Sequence, residues 1–122
     1  MSKNILVISA SLRNGSNSDM LADEFMRGAL ESGNNAEKIT LAGKSINFCK
    51  GCLACQKTGK CVINDDMAEI LPKMQQADVI CFASPVYFYD MCGQLKTFLD
   101  RTNPLFPAEY NFTDIYRNPH FP

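Results

Sequence analysis

The sequence predicts an α/β fold with a parallel β-sheet, and three features indicate this class. Residues 5–8 (ILVI) and 78–83 (DVICFA) are short aliphatic runs, typical of strands that are buried on both faces of a sheet. Apolar residues recur at helical spacing in the stretches after these runs. The 122 residues are 46% hydrophobic and 20% charged, as expected for one globular domain.

The first half of the chain predicts a strand, a helix and a second strand. The first aliphatic run is a strand, and the polar residues 9–18 follow it as a turn. From Met20 onward, apolar spacing predicts a helix that ends at Ser32 and Gly33. Residues 37–41 predict a weaker second strand. The residues expected to line the buried face of the helix are Leu21, Ala22, Phe25, Met26, Ala29 and Leu30.

The second half predicts a helix, a third strand and a further helix. Asp66, followed by Glu69, indicates a capping box at the helix start, and Pro72 is expected to kink this helix. Residues 78–83 form the third strand, and residues 93–102 form a short third helix. The helix after Asp66 is expected to bury Met67, Ile70, Leu71 and Met74.

Residues 1–103 are therefore predicted to form one domain with about three strands. Residues 104–122 are predicted to be an irregular tail, because they contain four prolines and five aromatic residues without a period. His120 lies in this tail, where we expect a solvated or locally packed role.

Charge and hydropathy narrow the class of function. The net charge is −1 with no cluster of Lys or Arg, which argues against binding to nucleic acid. The apolar run at residues 5–8 is too short for a signal peptide or a membrane span, so we expect a cytoplasmic protein. Thiols stay reduced in the cytoplasm, which argues against disulfides among the six cysteines.

The loop after the first strand has the composition of an anion site. Residues 10–18 (ASLRNGSNS) join a buried strand to a helix whose first amides and dipole favour an anion. Arg13 adds a fork of donors suited to phosphate. With Gly15 alone, the dinucleotide pattern G-x-G-x-x-G is absent, and a polar turn with an N-cap serine is equally compatible. The short polar side chains are those of Ser11, Ser16, Asn17 and Ser18.

The loop after the third strand favours a flavin mononucleotide (FMN) site. Residues 84–93 (SPVYFYDMCG) leave the same edge of the sheet, where ligands of open parallel sheets bind. Its apolar residues predict a wall for a flat ring, and ordinary core packing is the alternative for its aromatics. The residues concerned are Pro85, Val86, Tyr87 and Phe88.

Three collinear motifs carry a family resemblance. The motifs S-x-R-x-x-S-x-S at residues 11–18, SPVYF at residues 84–88 and G-x-L-K-T-F-x-D-R at residues 93–101 resemble the NADPH-dependent FMN reductase family. The resemblance implies a flavodoxin-like open parallel sheet with helices on both faces. It also implies FMN, and electron transfer from NAD(P)H to a quinone, free flavin, nitro compound or redox protein. The phosphate would be held by Ser11, Arg13, Ser16, Asn17 and Ser18, and the isoalloxazine lined by Pro85, Val86, Tyr87 and Phe88.

The sequence departs from the family after residue 103. Family members continue with a fourth strand, a Gly-rich loop that contacts the flavin, a fifth strand and a helix. We therefore expect a C-terminally shortened fold, which is either a fragment or is completed by a partner chain. The resemblance also implies oligomers, so we predict a homo-oligomer in which a neighbour or the tail covers Tyr87 and Phe88.

Four cysteines form a compact motif between the second strand and the second helix. The spacing C-x2-C-x2-C-x5-C resembles that of the family's iron–sulfur flavoprotein branch, which implies a 4Fe–4S cluster. Zinc is also compatible with four thiolates, and so is a loop without metal. Gly51 and Gly59 would ease the turns. The candidate ligands are Cys49, Cys52, Cys55 and Cys61.

The remaining candidates have more ordinary interpretations. Cys81 is expected in the core, whereas Cys92 precedes a helix and is a candidate reactive thiol. Asp100 and Arg101 end a helix, with a structural role that supports the flavin loop.

No side chain is predicted to be catalytic, because in flavin chemistry the cofactor carries the redox step. The leading hypothesis is an NAD(P)H-dependent flavin oxidoreductase. The rival is a non-enzymatic electron carrier. An assay that compares NADH and NADPH with ferredoxin as the electron donor would distinguish the two functions.

Overall fold

The computed structural model describes residues 2–105, which contain a central three-stranded parallel sheet. Strand β1 (Asn4–Ser9) lies in the middle, with β2 (Asn35–Thr40) on one side and β3 (Val79–Ala83) on the other. The three carboxyl ends therefore meet at one edge of the sheet. The predicted fold class is confirmed, and each strand lies within two residues of its predicted bounds.

Helices cover both faces of this sheet. The side chains of β1 alternate, so that Leu6 and Ile8 face one side and Val7 faces the other. Leu6 and Ile8 share a core with two helices, while a third helix packs on the opposite face. In chain order the helices are α1 (Asn17–Glu31), α2 (Ala54–Thr58), α3 (Met67–Gln76) and α4 (Gly93–Asp100), followed by a 3₁₀ turn (Asn103–Leu105).

The core lies between the sheet and helices α3 and α4. Its largest fully buried apolar side chains include Ile8, Met67 and Phe98. The predicted apolar face of α3 is confirmed, because Ile70 and Met74 are also buried in this cluster. Helices α3 and α4 therefore cover this face of the sheet in the described part of the chain.

The predicted buried face of α1 is only partly correct. Ala22 and Ala29 are buried as predicted, but Leu21 and Phe25 are 70% and 43% exposed. The two alanines bring α1 close to the sheet, and Asp19 continues their line at 7% exposure. Apolar spacing alone did not distinguish two adjacent stripes on the same helix, and the stripe of small residues faces the sheet.

The predicted capping box at α3 is wrong. Asp66 has helical backbone angles and no capping hydrogen bond, and its Oδ2 accepts from the Ser45 amide at 2.6 Å. The preceding Asp65 instead accepts from the Met67 amide through its Oδ1 at 3.1 Å. The two consecutive acidic residues therefore bind different backbone amides. Asp66 accepts from the loop after β2, and Asp65 accepts from the first residue of α3. Pro72 lies inside α3 as expected.

Three elements, one helix and two strands, were not predicted. Residues expected to be loops form the short helix α2 and a hairpin of two strands, β4 (Val86–Tyr87) and β5 (Asp90–Met91). Of the predicted tail, residues 106–122 lie outside the described part of the chain, and His120 is among them. No helix in residues 2–105 is long and apolar enough to cross a bilayer.

Candidate functional site

The two predicted ligand loops leave neighbouring strands. Ser9 pairs with Ala83 at the carboxyl ends of β1 and β3, and the Ala10 amide donates to the Ala83 carbonyl at 2.8 Å. Gln94, at the start of α4, donates to the Ala10 carbonyl at 3.0 Å. The chain crosses from β2 past β1 to β3, so this point is the switch in strand order where open α/β sheets bind ligands.

The first loop gathers three serine hydroxyls at the start of α1. The Ser16 hydroxyl donates to the Ser11 Oγ at 2.6 Å and lies 3.4 Å from the Ser18 Oγ. Ser11 is 4% exposed, and its hydroxyl also donates to the Arg13 carbonyl at 3.0 Å. Ser16 is the N-cap of α1 and accepts from the Asp19 amide. The loop is therefore a capped turn and a cluster of hydroxyls at once.

The other two predicted phosphate ligands flank this cluster. Arg13 and Asn17 are both exposed, and Asn17 is the first residue of α1. The amides of Asn17 and Ser18 belong to the first helical turn, whose N–H groups have no intrahelical acceptor. The loop thus places hydroxyls, helical amides and one exposed cationic residue within a single stretch of eight residues, 11–18.

Asp19 is a site residue that the sequence did not reveal. Its carboxylate accepts from the Ser9 hydroxyl at 2.7 Å, from the Gly15 amide at 3.2 Å and from the Lys38 ammonium at 2.8 Å. The hydrogen bond from Lys38, followed by that from Ser9, lowers the pKa of Asp19 from 3.8 to about 2. Asp19 therefore stays ionised and ties the loop to β1 and β2. An acidic residue in a first helical turn is ordinarily attributed to the helix dipole, which concealed this role.

The predicted ring wall is an exposed hairpin. Val86 is 75% exposed, Tyr87 54% and Phe88 95%, so these side chains are not packed in the core that residues 2–105 form. The two turn residues, Phe88 and Tyr89, have φ angles of 49° and 67°, and their ring centroids lie 5.9 Å apart. Non-glycine residues rarely adopt positive φ, and such strain concentrates at functional sites. Pro85, the fourth predicted residue, is half-buried at the base.

Cys92 and Ser84 join the two ends of the hairpin. The Cys92 amide donates to the Ser84 Oγ at 3.1 Å, and the Ser84 hydroxyl lies 3.2 Å from the Cys92 Sγ. Cys92 is fully buried, which argues against the predicted reactive thiol. Cys81 is half-buried in β3, where burial raises the pKa of its thiol.

A surface groove connects the first loop with the start of the cysteine segment, residues 49–61. The groove has a volume of about 450 Å³, and its walls include Leu12, Ile46, Phe48 and Gln94. Leu12 belongs to the hydroxyl-bearing loop, and Phe48 immediately precedes Cys49. The cysteine segment therefore begins at the same edge as the two ligand loops.

The cysteine segment turns sharply at three positions. Gly51, Leu53 and Gly59 all have positive φ, at 67°, 62° and 73°. The turns predicted at the two glycines are confirmed, whereas Leu53 takes the same conformation with a side chain and begins helix α2. These reversals change the direction of the chain three times between Cys49 and Cys61.

The sulfur atoms of the segment already accept hydrogen bonds. The Cys49 Sγ accepts from the Gly51 amide and the Cys61 Sγ from the Ile63 amide, both at 3.4 Å. Burial raises the pKa of the Cys55 thiol. Thiolates that accept N–H groups are the donors that iron–sulfur clusters use. Within residues 2–105, however, no three His, Cys, Asp or Glu side chains are gathered closely enough to hold a metal ion.

Arg101 supports the cysteine segment and not the flavin loop. Its guanidinium forms an ion pair with Asp65 at 2.7 Å, and both side chains are almost fully buried. Asp100 instead pairs with Lys96 on the surface of α4. The prediction that both residues support the flavin loop is wrong for Arg101, whose partner lies beyond the cysteine segment.

This chain is similar in sequence to proteins named iron–sulfur flavoprotein. An iron–sulfur flavoprotein of Methanocaldococcus jannaschii is 45% identical over 101 residues, covering 83% of this chain and 52% of the relative. An iron–sulfur flavoprotein of Methanosarcina thermophila is 38% identical over 95 residues, covering 78% and 50%. The chain thus spans about half the length of these curated relatives.

Solved structures agree on the fold. An NAD(P)H:quinone oxidoreductase from Methanothermobacter marburgensis superposes with a TM-score of 0.69 at 20% identity, covering 84% of this chain and 54% of that one. A flavone reductase superposes with a TM-score of 0.68 at 29% identity, covering 93% and 34%. The family described as NADPH-dependent FMN reductase matches residues 3–115. This chain therefore belongs to the NADPH-dependent FMN reductase family.

Proposed function

We propose that the protein binds FMN and passes electrons from NAD(P)H through it to a small acceptor or a redox protein. One observation carries this proposal: the serine cluster at the start of α1 and the aromatic hairpin leave adjacent strands at the switch in strand order. A phosphate needs hydroxyls, amides and a cation, and a flavin ring needs an apolar surface nearby. Family membership supports the same cofactors.

The residues have distinct proposed roles. Ser11, Ser16 and Ser18, with the first amides of α1, would hydrogen-bond the FMN phosphate, and Arg13 would neutralise its charge. Asn17 would add an amide donor at the same point. FMN, when bound, supplies the acceptor of a hydride and the donor of electrons. The apolar surface for the ring would come from Pro85, Val86, Tyr87 and Phe88.

We further propose that the cysteine segment holds a 4Fe–4S cluster. Cys49, Cys52, Cys55 and Cys61 supply the required donors, and amides already point at two of the sulfurs. The names of the iron–sulfur flavoprotein relatives support this assignment. Because the thiols are not yet gathered, the middle of the segment would have to close around the metal. An anionic cluster would be balanced by Lys50, Lys57 and Lys60 within the same segment.

The test is an anaerobic absorption spectrum of the purified chain, with iron, sulfide and flavin analysis after reconstitution with FMN, ferrous iron and sulfide. We expect stoichiometric FMN and bleaching of its band by NADH or NADPH. Absence of both FMN binding and NAD(P)H oxidation would contradict the proposal. Reduction by ferredoxin but not by either nicotinamide would instead identify an electron carrier.

A further inference from the structure

Arg101 contacts both ends of the cysteine segment. It lies at the C-cap of α4, with 1% of its surface exposed. Its Nη1 donates to the carbonyl of Asn47 at 2.9 Å, two residues before the segment. Its Nη2 approaches the carbonyl of Ile63 at 3.5 Å, two residues after the segment. One buried side chain therefore spans the entry and the exit of the loop that carries the four thiols.

Asp65 completes this connection. Its two oxygens accept from Arg101 in a bidentate pair, with Nη1 at 2.7 Å and Nη2 at 3.0 Å. Asp65 also accepts from the Asn47 amide at 2.9 Å and from the Met67 amide at 3.1 Å. The carboxylate thus ties the loop entry to the start of α3. The planar fork of arginine matches this geometry, whereas a lysine presents a single charged point.

A residue close to Arg101 in the chain contacts one of the sulfur atoms. Asn103, just after Arg101, places its Nδ2 3.8 Å from the Cys49 Sγ. The buried Nε of Arg101 has no hydrogen-bond acceptor among residues 2–105. A buried donor without an acceptor is costly, so this side chain is held by its other contacts, those to Asp65, Asn47 and Ile63.

We propose that Arg101 is the positioning residue of the cysteine segment, holding residues 47 and 63–65 together so that the four thiols stay within reach of one metal centre. The segment between these points is left free to close. In this arrangement the contacts of Arg101 hold the two ends of the segment, and the metal centre would hold its middle. The inference rests on the proposed function for the metal centre, whereas the role of Arg101 in joining the two ends of the segment is tested without metal.

The experiment compares Arg101→Met and Arg101→Lys with the unaltered chain. A matched control is Arg27→Met, which removes an exposed arginine that pairs only with surface glutamates of α1. The first measurement is the alkylation rate of each cysteine by iodoacetamide without metal, followed by mass spectrometry. We expect Arg101→Met to raise the rates of Cys55 and Cys61 at least about fivefold, while the rate of the buried Cys92 stays within about twofold. A merely structural arginine would change all three rates together.

The second measurement is the iron and sulfide bound per chain after anaerobic reconstitution. We expect at least about a fivefold loss in Arg101→Met, partial recovery in Arg101→Lys and no loss in Arg27→Met. If Arg101→Met does not fold, Asp65→Asn, which keeps the shape of the carboxylate, takes its place with the same expectations.

Unchanged alkylation rates in a folded variant would overturn the inference, and so would equal acceleration at Cys92. These rates are measured without FMN or iron, so they decide the role of Arg101 even if the unaltered chain binds neither. Failure of the proposed function would show only in the reconstitution.

Discussion

Arg13 is the exposed cation of the serine loop, and its role can be tested by substitution. Arg13→Ala should weaken FMN binding by about 1.5–3 kcal/mol, because it removes a charge-assisted hydrogen bond to the phosphate. Fluorescence titration measures this change. Arg27→Ala, at an exposed arginine on α1, is the matched control and should leave the affinity unchanged.

Riboflavin provides the chemical control, because it lacks the phosphate. If Arg13→Ala weakens riboflavin as much as FMN, the guanidinium does not bind the phosphate. The serine cluster makes the complementary contribution, and it stays assembled in this variant because its hydrogen bonds use the Arg13 backbone only.

Asp19 should make stability depend on acid pH. Its pKa is about 2 in the folded chain and near 3.8 otherwise, so its contribution is present above about pH 4 and is lost as the pH falls through 2. Asp19→Asn should therefore reduce the loss of unfolding free energy between pH 4 and pH 2 by an amount on the order of 2 kcal/mol. Urea unfolding at several pH values measures this slope.

The matched control is Asp23→Asn, which removes the more exposed carboxylate from Lys38 and should alter the slope little. Asp65, whose pKa is also lowered to about 2, still titrates in both variants, so the slope should not vanish. An unchanged slope in Asp19→Asn would show that the contacts of its carboxylate do not stabilise the loop.

The serine loop and Arg101 show how far single residues could be assigned a role from the sequence. The serines could be identified because hydroxyl side chains cluster locally after a buried strand. Arg101 could not be assigned, because its partner Asp65 is 36 residues away and the pair forms only when α4 docks on the sheet. Helix caps and turns can be predicted from neighbouring residues in the sequence. A buried ion pair between distant residues cannot, because it depends on how the helices pack on the sheet.

At the level of elements, substitutions in the hairpin β4–β5 can test the strain of its turn separately from its contact with the flavin ring. Its two-residue loop has positive φ at both positions, as a type I′ turn requires, and that turn favours Asn-Gly. Replacing Phe88 with Asn and Tyr89 with Gly should leave the unfolding free energy unchanged or raise it by up to about 1 kcal/mol. The same double variant should weaken FMN by about 0.5–1.5 kcal/mol, because a ring contact is lost.

Tyr89→Gly alone is the control, since it relieves the turn and keeps the Phe88 ring. Calorimetry gives the affinity, and thermal unfolding gives the stability. A double variant that binds FMN as tightly as the unaltered chain would remove Phe88 from the ring surface.

The sequence predicted most elements but missed this hairpin and α2. Strands β1 and β3 were predictable because their aliphatic, β-branched residues favour strands. Burial on both faces was correct for β1 and wrong for β3, where Val79 and Phe82 are exposed at the edge of the sheet. The hairpin lacked a signal, because aromatic residues occupy the turn positions where Asn and Gly are expected. Helix α2 spans five residues, too few for a periodic pattern, and its left-handed start at Leu53 is unusual for a residue with a side chain.

At the scale of the whole molecule, the sheet has an exposed apolar edge. Within residues 2–105, β3 pairs with β1 on one side and has no neighbour on the other, and Val79 and Phe82 are 43% and 41% exposed. On the neighbouring helix, Leu21 is 70% exposed. Open strand edges and apolar patches favour association, which supports the proposed homo-oligomer.

Light scattering at micromolar concentration should therefore give a mass above the 13.6 kDa of one chain. Phe88→Asn, which tolerates the left-handed turn, should shift the mass toward one chain if a neighbour covers the hairpin. Gln76→Glu, on the exposed surface of α3, is the control. A monomeric mass together with a protease-sensitive segment at residues 104–122 would contradict both proposed covers of Phe88.

The contact between Arg101 and the cysteine segment also sets an order of events during synthesis. Arg101 follows Asp65 by 36 residues and Asn47 by 54. At about 5–20 residues per second, a ribosome needs roughly 2–7 s to extend the chain from Asp65 to Arg101. During that interval the four cysteines have been synthesised, but Arg101 does not yet join the two ends of the cysteine segment. A carrier that delivers iron would meet an open segment, and the completion of α4 would then close it.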